Sequence, residues 1–226
     1  MANRKKTNKY YFTVEGETEQ WYLEWLVKQL NNDSDAMRHV SFDCEKRDPI
    51  EKAKSLPVTH PIYITHLFDY ESNEEVHKRR FSDTLDKMEK VNTLGKGITY
   101  KLGYSNFSFE LWLILHKKEF YEKLADRRQY LQPISRIFNE RFENLEQLKH
   151  KDDFARVLKN LCLHDVKKAI HRAKTINDNN KTNGYALINY KGFTYYRENP
   201  SLSIWESLEE IFIDCGLMMK LIKSKN

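Results

Sequence analysis

The first half of the chain alternates between short apolar runs and longer segments in which apolar residues recur at helical spacing. The apolar runs have the length of strands and cover residues 10–14, 39–45, 61–68 and 98–102. The helical patterns between them cover residues 17–30, 48–56 and 73–91. A repeated strand–helix order predicts a parallel sheet whose crossover connections are right-handed. We therefore predict an α/β fold with a four-stranded parallel sheet flanked by helices.

The pattern changes after Gly103 and becomes mainly helical. An intensely apolar stretch at residues 107–120 predicts a buried helix, and helical spacing continues to residue 177. Three later segments predict a polar loop, a short strand or extended cover, and a last amphipathic helix, at residues 178–184, 185–196 and from 199 onward. We expect an α/β core in residues 1–104, and a mainly helical part in residues 105–226 that packs on it as one compact unit.

The composition is that of a globular protein. Of the 226 residues, 40% are hydrophobic and 13% aromatic, and few are Gly or Pro, which argues against a disordered or fibrous chain. No apolar run approaches the roughly 18 residues of a membrane-spanning helix, and the polar residues 1–9 predict a frayed arm rather than a signal peptide. A cytoplasmic location is therefore expected. Cys44, Cys162 and Cys215 are too widely separated to support a disulfide framework or a zinc site, so we interpret them as reduced packing residues.

Acidic residues follow two of the predicted strands at the point where each strand ends. Glu15 and Glu19 come after the first strand, and Asp69 and Glu71 come after the third. In a parallel sheet both groups reach the same carboxyl edge, where open α/β sheets bind their ligands. Carboxylates gathered there repel one another unless a divalent cation lies between them. Oxygen ligands favour a hard cation, so these four residues predict a magnesium or manganese site.

Three acidic residues in the predicted helices have alternative interpretations. Glu17 and Glu19 lie in the first turn of a predicted helix, where a carboxylate is stabilised by the positive end of the helix dipole, so either one could serve only as a cap. Glu110 lies inside the apolar helical run, and a glutamate is seldom fully buried unless it is paired. It should therefore meet an Arg or Lys, or face the site as a catalytic residue.

Four other conspicuous side chains have a structural and a functional interpretation. Asn106 could cap the following helix or contact a substrate. His116 suits a hydrogen-bonded core histidine better than a catalytic or phosphate-binding one. Trp21 and Trp25 recur with other apolar residues at helical spacing, so they are better interpreted as core residues than as a platform for stacking bases.

The net charge of +5 is modest, but the charges are unevenly distributed. Acidic residues gather near Glu15, whereas basic residues form separate clusters. The clusters that we predict to bind nucleic acid comprise Arg79 and Arg80 together with Lys167, Lys168, Arg172 and Lys174, and a further basic pair lies at 127–128. An acidic centre flanked by basic surface suits an enzyme that holds phosphates beside a metal. The alternative is that each cluster is an ordinary solvated helix face.

Three ordered motifs resemble a known family. A strand followed by Val14-Glu15-Gly16-x-x-Glu19, and another ending in Asp69-x-Glu71, resemble the Toprim domain of primases, topoisomerases and certain nucleases. The string from Ser105 to His116 resembles the Ser-Asn-Pro-x-Phe-Glu-Leu-Trp-Leu-Leu-Leu-His stretch of the RloB/AbiLii-like family. Asn199-Pro200-Ser201-Leu202 resembles that family's C-terminal Asn-Pro-Ser-Thr segment.

The resemblance implies a fold, a chemistry and a biological setting. It implies a Toprim-like metal-binding core in which Glu15 is the general base or acid, Asp69 and Glu71 hold the metal, and Glu19 is the extra acid of Toprim nucleases. It further implies a Mg²⁺-dependent nuclease acting on DNA or RNA, tRNA included, as an effector of prokaryotic anti-phage defence by abortive infection. A neighbouring gene would encode an AAA or ABC-type ATPase partner. The alternative is a non-catalytic Toprim-like module that binds nucleic acid or the ATPase, and a homodimer stays open.

Departures from the family pattern limit these expectations. Asp-Tyr-Glu stands where Asp-x-Asp is commoner, and Phe107 and Lys117 stand where the family tends to have proline and an aromatic residue. A Walker phosphate loop and a primase zinc region are absent from the sequence, and none of the tyrosines stands out as a topoisomerase nucleophile. These departures leave the acidic residues intact but loosen the inference about substrate.

Overall fold

A five-stranded sheet forms the centre of the molecule, in a computed structural model that describes residues 5–219. Its strands are β1 (Thr7–Val14), β2 (His39–Lys46), β3 (Ile62–Asp69), β4 (Ile98–Asn106) and β7 (Ser201–Leu202). Their spatial order is β2-β1-β3-β4-β7. The first four strands are parallel, as the strand–helix pattern predicts, and β7 runs antiparallel to β4.

The prediction of a four-stranded, wholly parallel sheet was wrong in one respect, because β7 adds a fifth strand of opposite direction. Backbone pairing joins Ser105 to Leu202 and Asn106 to Ser201. A strand of two residues is too short to show a periodic pattern, so the sequence gives no signal for it. The strand matters for the site, since it covers β4 where that strand leads into the most apolar helix.

Helices connect the strands and cover both faces of the sheet. Their bounds are α1 (Glu17–Asn32), α2 (Pro49–Ser55), α3 (Glu75–Thr93), α4 (Glu110–Lys117), α5 (Leu131–Phe138), α6 (Leu145–Leu148), α7 (Lys151–Lys159), α8 (Leu163–Thr182) and α9 (Ile204–Asp214). A 3₁₀ turn, Arg127–Tyr130, precedes α5, and a hairpin of β5 (Leu187–Tyr190) and β6 (Phe193–Tyr196) follows α8. Asp48 caps α2 through its side chain and Pro49 is its first residue, as predicted.

Two hydrophobic clusters pack against the sheet, one on each face. The larger one joins Phe12 and Leu67 of the sheet to Tyr22 of α1, Trp112 of α4 and Ile170 of α8. The smaller one, on the opposite face, contains residues of α2, α3, the hairpin and the sheet, among them Ala53, Ile64, Phe68, Phe81, Tyr104 and Tyr195. Burial on both faces explains why β3 reads as a nearly continuous apolar run.

The alternation of side chains along β3 sets the geometry of the carboxyl edge. His66 and Phe68 belong to the α2 and α3 face, whereas Leu67 packs in the α1 and α4 cluster. Because successive side chains of a strand point to opposite faces, Asp69 shares the face of Leu67. The last residue of β3 therefore presents its carboxylate to α1 and α4.

Several boundaries differ from the predicted ones. β1 begins at Thr7 because the polar residues of the predicted arm pair with β2 through their backbone. The segment predicted as a loop at 178–184 is helical to Thr182, and buried Asn180 donates to the carbonyl of Pro200 at 2.9 Å. The last helix begins at Ile204, because Ser201 is occupied in β7. Polar residues satisfied by tertiary contacts thus extend regular structure beyond the apolar pattern.

The two predicted parts of the chain share this sheet. The boundary expected after residue 104 falls inside β4, and β7 comes from the C-terminal part. Among the helices of residues 5–219, none combines the length and apolar character that crossing a membrane requires.

Candidate active site

Six carboxylates line one cavity of about 390 Å³ at the carboxyl edge of the sheet. They comprise the four predicted metal ligands, the glutamate from the apolar helix and one exposed glutamate of the first turn of α1, namely Glu15, Glu19, Asp69, Glu71, Glu110 and Glu17. Residues that lie more than 90 positions apart in sequence therefore meet at the predicted edge. The structure brings every predicted catalytic and metal-binding residue to this one place.

The strand ends and the start of α1 position the first three acids. The backbone N–H of Glu15 donates to the carbonyl of Leu67 at 3.0 Å, which fixes the end of β1 beside the end of β3. Gly16 then allows α1 to begin at once, because a Cβ at this position would collide with the carboxylate of Glu19. Asp69 is the last residue of β3. The glycine of the motif therefore lets the Glu19 carboxylate lie against the backbone of the turn.

The start of α4 forms the opposite wall. Glu110 is the first residue of α4 and is only 6% exposed, and Ser108 before it is 2% exposed. Glu110 was expected either to pair with an Arg or Lys or to face the site. No Arg or Lys forms an ion pair with it anywhere in residues 5–219, and its side chain lines the cavity. The hydroxyl of Ser108 has no hydrogen-bond partner within the same range. The wall thus presents a buried carboxylate and an unsatisfied buried hydroxyl to the cavity.

Burial and mutual repulsion raise the pKa values of Glu19 and Asp69. Desolvation raises the pKa of Glu19 to about 7, and the nearby carboxylates of Glu110 and Glu15 add to the effect. The Thr18 hydroxyl, which donates to Glu19 Oε2 at 2.9 Å, opposes it. The pKa of Asp69 is raised well above its usual range, chiefly by desolvation and then by the other cavity acids. Such shifts are typical of functional sites, where charged groups are held together without full compensation.

The outer acids, in contrast, have cationic neighbours. Arg80 of α3 bridges Glu15 and Glu71, with its Nη1 2.9 Å from Glu71 Oε1. Arg127 Nη1 lies 3.8 Å from Glu71 Oε2, and His77 Nε2 lies 3.5 Å from the same oxygen. The cavity therefore has an outer rim whose charge is balanced, and an inner group, Glu19, Asp69 and Glu110, which has no ion-pair partner in the part of the chain that the structure describes.

The donor set suits a hard divalent cation. Every acidic group offers oxygen atoms, and the unsatisfied Ser108 hydroxyl adds another oxygen in the same wall. Within residues 5–219, no group of three or more Asp, Glu, His or Cys side chains is placed so that it could hold a metal ion, so the cavity contains no ready-made cage. A cation with several retained waters, as Mg²⁺ usually has, does not need such a cage. Glu15, Glu19, Asp69 and Glu71 are accordingly the residues that could hold it.

The predicted nucleic-acid-binding residues separate into two groups. Arg80 lines the acidic cavity, and Arg79 lines a second cavity beside it. The other four residues lie on α8 and line neither cavity, and we call them the α8 ridge: Lys167, Lys168, Arg172 and Lys174.

Contacts of the ridge show why it lies apart from the site. Asp165 at the start of α8 pairs with Lys117 at the end of α4, so this end of α8 lies away from Glu110. Arg172 donates to the carbonyl of Leu115 at 2.6 Å, and Lys174 pairs with Glu209. Two of the four ridge cations thus also stabilise the packing of helices.

Other residues of interest have structural roles. His116 Nδ1 donates to the Trp112 carbonyl at 2.8 Å, and its Nε2 is hydrogen-bonded to the Tyr22 hydroxyl at 3.0 Å. These bonds confirm the interpretation of His116 as a core histidine. Asn106 ends β4 and donates to the carbonyl of Arg197 at 3.0 Å, so the prediction of a helix cap was wrong. Trp21 and Trp25 pack partly buried against the larger cluster.

Sequence reasoning missed four residues that line the cavity, namely Lys46, Ser108, Leu145 and Lys149. Ser108 lies two residues before Glu110 in a motif that the sequence does single out, so its position offered a signal. Lys46 ends β2 and Lys149 follows α6. Neither lysine has a sequence neighbour that would indicate which edge or face it reaches.

Comparison with known proteins yields one result. No curated protein and no solved structure gave a significant match to the chain. A family model described as "RloB-like protein" matches residues 10–211, a range that includes all six cavity acids and all strands except the start of β1. Since this range covers most of the 226 residues, the chain belongs to the RloB-like protein family.

Proposed function

We propose that the protein is a Mg²⁺- or Mn²⁺-dependent nuclease of the Toprim type, which hydrolyses phosphodiester bonds of DNA or RNA. One observation carries this proposal: the cavity holds six carboxylates, and the inner three have no balancing cation among residues 5–219. A protein keeps uncompensated acids together at a cost in stability, which is regained when a cation binds. Oxygen ligands and retained waters then favour phosphate chemistry.

The residues divide the chemical work by their accessibility. The bound cation would polarise the phosphodiester and stabilise the leaving oxygen. Glu15, which is 31% exposed at the rim, is placed to take a proton from an attacking water as the general base. Glu110, buried in the opposite wall, is the candidate to orient the water. Arg80 can exchange its carboxylate partners for phosphate oxygens, since it lies at the entrance.

The biological setting is part of the same proposal. The Toprim interpretation rests on the order of Glu15, Glu19, Asp69 and Glu71, and membership of the RloB-like family supports a role as effector in anti-phage defence. The proposed partners are nucleic acid, bound in part by the α8 ridge, and an AAA or ABC-type ATPase encoded nearby. The proposed location is the cytoplasm, where both partners would be found.

A second function is a non-catalytic module that binds nucleic acid or the ATPase. The ion pairs that Arg80 makes with Glu15 and Glu71 favour it, because they resemble those of a structural site. The two functions differ in what the inner acids do. A binding module would tolerate the loss of Asp69, whereas a nuclease would not.

Cleavage of labelled tRNA, single-stranded DNA and plasmid, with Mg²⁺ or Mn²⁺, tests the proposal. We expect the purified protein to cleave at least one of these substrates, alone or with the ATPase, and Asp69→Asn to abolish cleavage. Glu51→Gln, which removes an exposed charge from α2, is the matched control and should cleave like the wild type. Failure of every substrate, with and without the ATPase, would favour the binding module.

A further inference from the structure

A second cavity, of about 570 Å³, opens on the other face of the sheet edge, between α2 and α3. It shares three wall residues with the acidic cavity, namely Glu15, Lys46 and Arg80. The two cavities are therefore adjacent, and Glu15 lies on the boundary between them. We call the second cavity the basic groove, after its remaining charged residues: Arg47, Arg79 and Lys87 with Asp48 and Asp83.

Most of the charges in the basic groove are paired, but two cations are not. Lys87 pairs with Asp48 at 2.9 Å, and Arg47 pairs with Glu45 at 3.2 Å. Lys46 and Arg79 are both exposed, and neither has an acidic partner among residues 5–219. Unpaired cations that converge on a cavity create a positive potential that attracts anions. Their position beside the acidic cavity makes phosphate the relevant anion.

The direction of side chains at the sheet edge relates the two cavities to each other. Asp69 and the inner acids lie on the α1 and α4 face, whereas His66 and Phe68, which line the basic groove, lie on the α2 and α3 face. An extended backbone that crosses the edge at Glu15 would therefore have one phosphate in each cavity. The recess around the inner acids is small, so it admits a single strand more readily than a duplex.

We propose that the basic groove binds the phosphate next to the scissile one in an extended single strand of nucleic acid, with Lys46 and Arg79 as its ligands. This inference rests on the proposed nuclease function and adds the path of the substrate over the sheet edge. Arg80 lines both cavities and can contact either phosphate. Positively charged grooves that follow the backbone are the usual means of binding single strands.

The test is binding of a fluorescent single-stranded oligonucleotide, followed by anisotropy at a series of salt concentrations. Calcium replaces magnesium so that no turnover occurs. We expect the Lys46→Gln/Arg79→Gln variant to bind about tenfold more weakly and to lower the salt slope by roughly 0.7 for each lost phosphate contact. The matched control is Lys90→Gln/Lys96→Gln, which removes two exposed charges at the far end of α3 and beyond it.

Three results would have distinct meanings. A lower affinity and slope in the Lys46/Arg79 variant alone would support the subsite. Equal loss in both double variants, or no loss in either, would overturn it, because the effect would then depend only on net charge or on another surface. Absence of cleavage by the wild type, with and without the ATPase, while binding stays sensitive to Lys46 and Arg79, would overturn the nuclease proposal; the basic groove would then bind nucleic acid without a scissile phosphate beside it.

Discussion

Two groups of acidic side chains lie on the same sheet, and they differ in what balances their charge. Asp43 and Glu45 on β2 each accept a hydrogen bond from Lys52 Nζ at 2.6 Å, and the Lys52 side chain is only 2% exposed. In the acidic cavity, Glu19 and Asp69 are packed together with no such cation among the described residues. The acids of the first group are paired with cations of the protein, whereas Glu19 and Asp69 are not paired with any cation of the described residues.

The pKa directions of the two groups differ accordingly. Hydrogen bonds and charge interactions with Lys52 hold the pKa values of Asp43 and Glu45 below their usual range. Desolvation and repulsion raise those of Glu19 and Asp69. The comparison teaches that acids which stabilise a fold are built with their cation, whereas acids which serve a site are kept together in spite of their repulsion. It can be tested by changing one member of each group.

The largest expected effect is the loss of cleavage when Asp69 is substituted. Asp69→Asn removes one carboxylate from the centre of the cavity while keeping its shape, so cleavage should fall by at least about 10³-fold, which corresponds to roughly 4 kcal/mol. The free energy of unfolding without metal should rise at the same time, because one source of repulsion is lost. Cleavage assays and urea denaturation in EDTA measure the two quantities. A loss of stability in the variant would contradict the contrast between the two groups.

The next effect concerns Glu19 and pH. Because its folded pKa of about 7 lies above the ordinary 4.5, the folded state binds more protons than the unfolded state between these values. The stability of the metal-free protein should therefore fall as pH rises through this window, by about 3–4 kcal/mol at most. Glu19→Gln should lack this contribution and be the more stable protein at pH 8, but not at pH 4.

Denaturation with urea at several pH values, in EDTA, compares wild type and Glu19→Gln. Added Mg²⁺ supplies a control, since it should stabilise the wild type at pH 8 more than the variant. Parallel stability curves for the two proteins from pH 4 to 8 would sink the idea that the Glu19 carboxylate is uncompensated.

A smaller effect is expected from Lys52. Lys52→Met removes the cation from the balanced group and leaves Asp43 and Glu45 with only their more exposed partners, Lys9 and Arg47. The free energy of unfolding should fall by about 2 kcal/mol, less than for a fully buried pair because the two acids are partly exposed. Thermal denaturation measures the loss, and cleavage per folded molecule should be unchanged. An unaltered melting temperature would show that Asp43 and Glu45 do not need Lys52, which would contradict the comparison.

The smallest effect is expected from Thr18. Its hydroxyl stabilises the charged form of Glu19, so Thr18→Val should raise the pKa of Glu19 further. Stability at pH 8 should fall by less than about 1 kcal/mol, with no change at pH 4, where the carboxyl is protonated in both proteins. Thr18→Ser retains the hydroxyl and serves as the control. Equal effects of the two substitutions would point to packing rather than to the hydrogen bond.

The parallel part of the fold could be predicted because its signals are local. Apolar runs of strand length and helical spacing between them indicate β1–β4 and α1–α3 to within a few residues at most ends. The short strands of the C-terminal part escaped because their place depends on partners distant in sequence. The pairing of Ser201 with Asn106, and the bond from Asn180 to the carbonyl of Pro200, follow from tertiary structure alone.

The cavity acids could be predicted because the carboxyl ends of parallel strands meet at one edge. Glu15 and Asp69 follow strands directly, and Glu110 stands out as a charge in an apolar helix. The cations that line the same cavity could not be assigned to it from the sequence, because long side chains such as those of Arg80 and Lys46 reach it from other elements. The difference between a paired and an unpaired acid is likewise invisible in the sequence and depends on which elements lie side by side.

The junction of β4 with the segment around β7 has a consequence for the order of events during synthesis. The N–H of Tyr104 donates to the hydroxyl of Ser203, which is made 99 residues later. A nascent chain could therefore form the parallel strands well before it could complete the wall that carries Ser108 and Glu110. If the protein is a nuclease, its cavity would stay unfinished until Ser203 had been made, and the messenger RNA engaged in its translation would be spared until then.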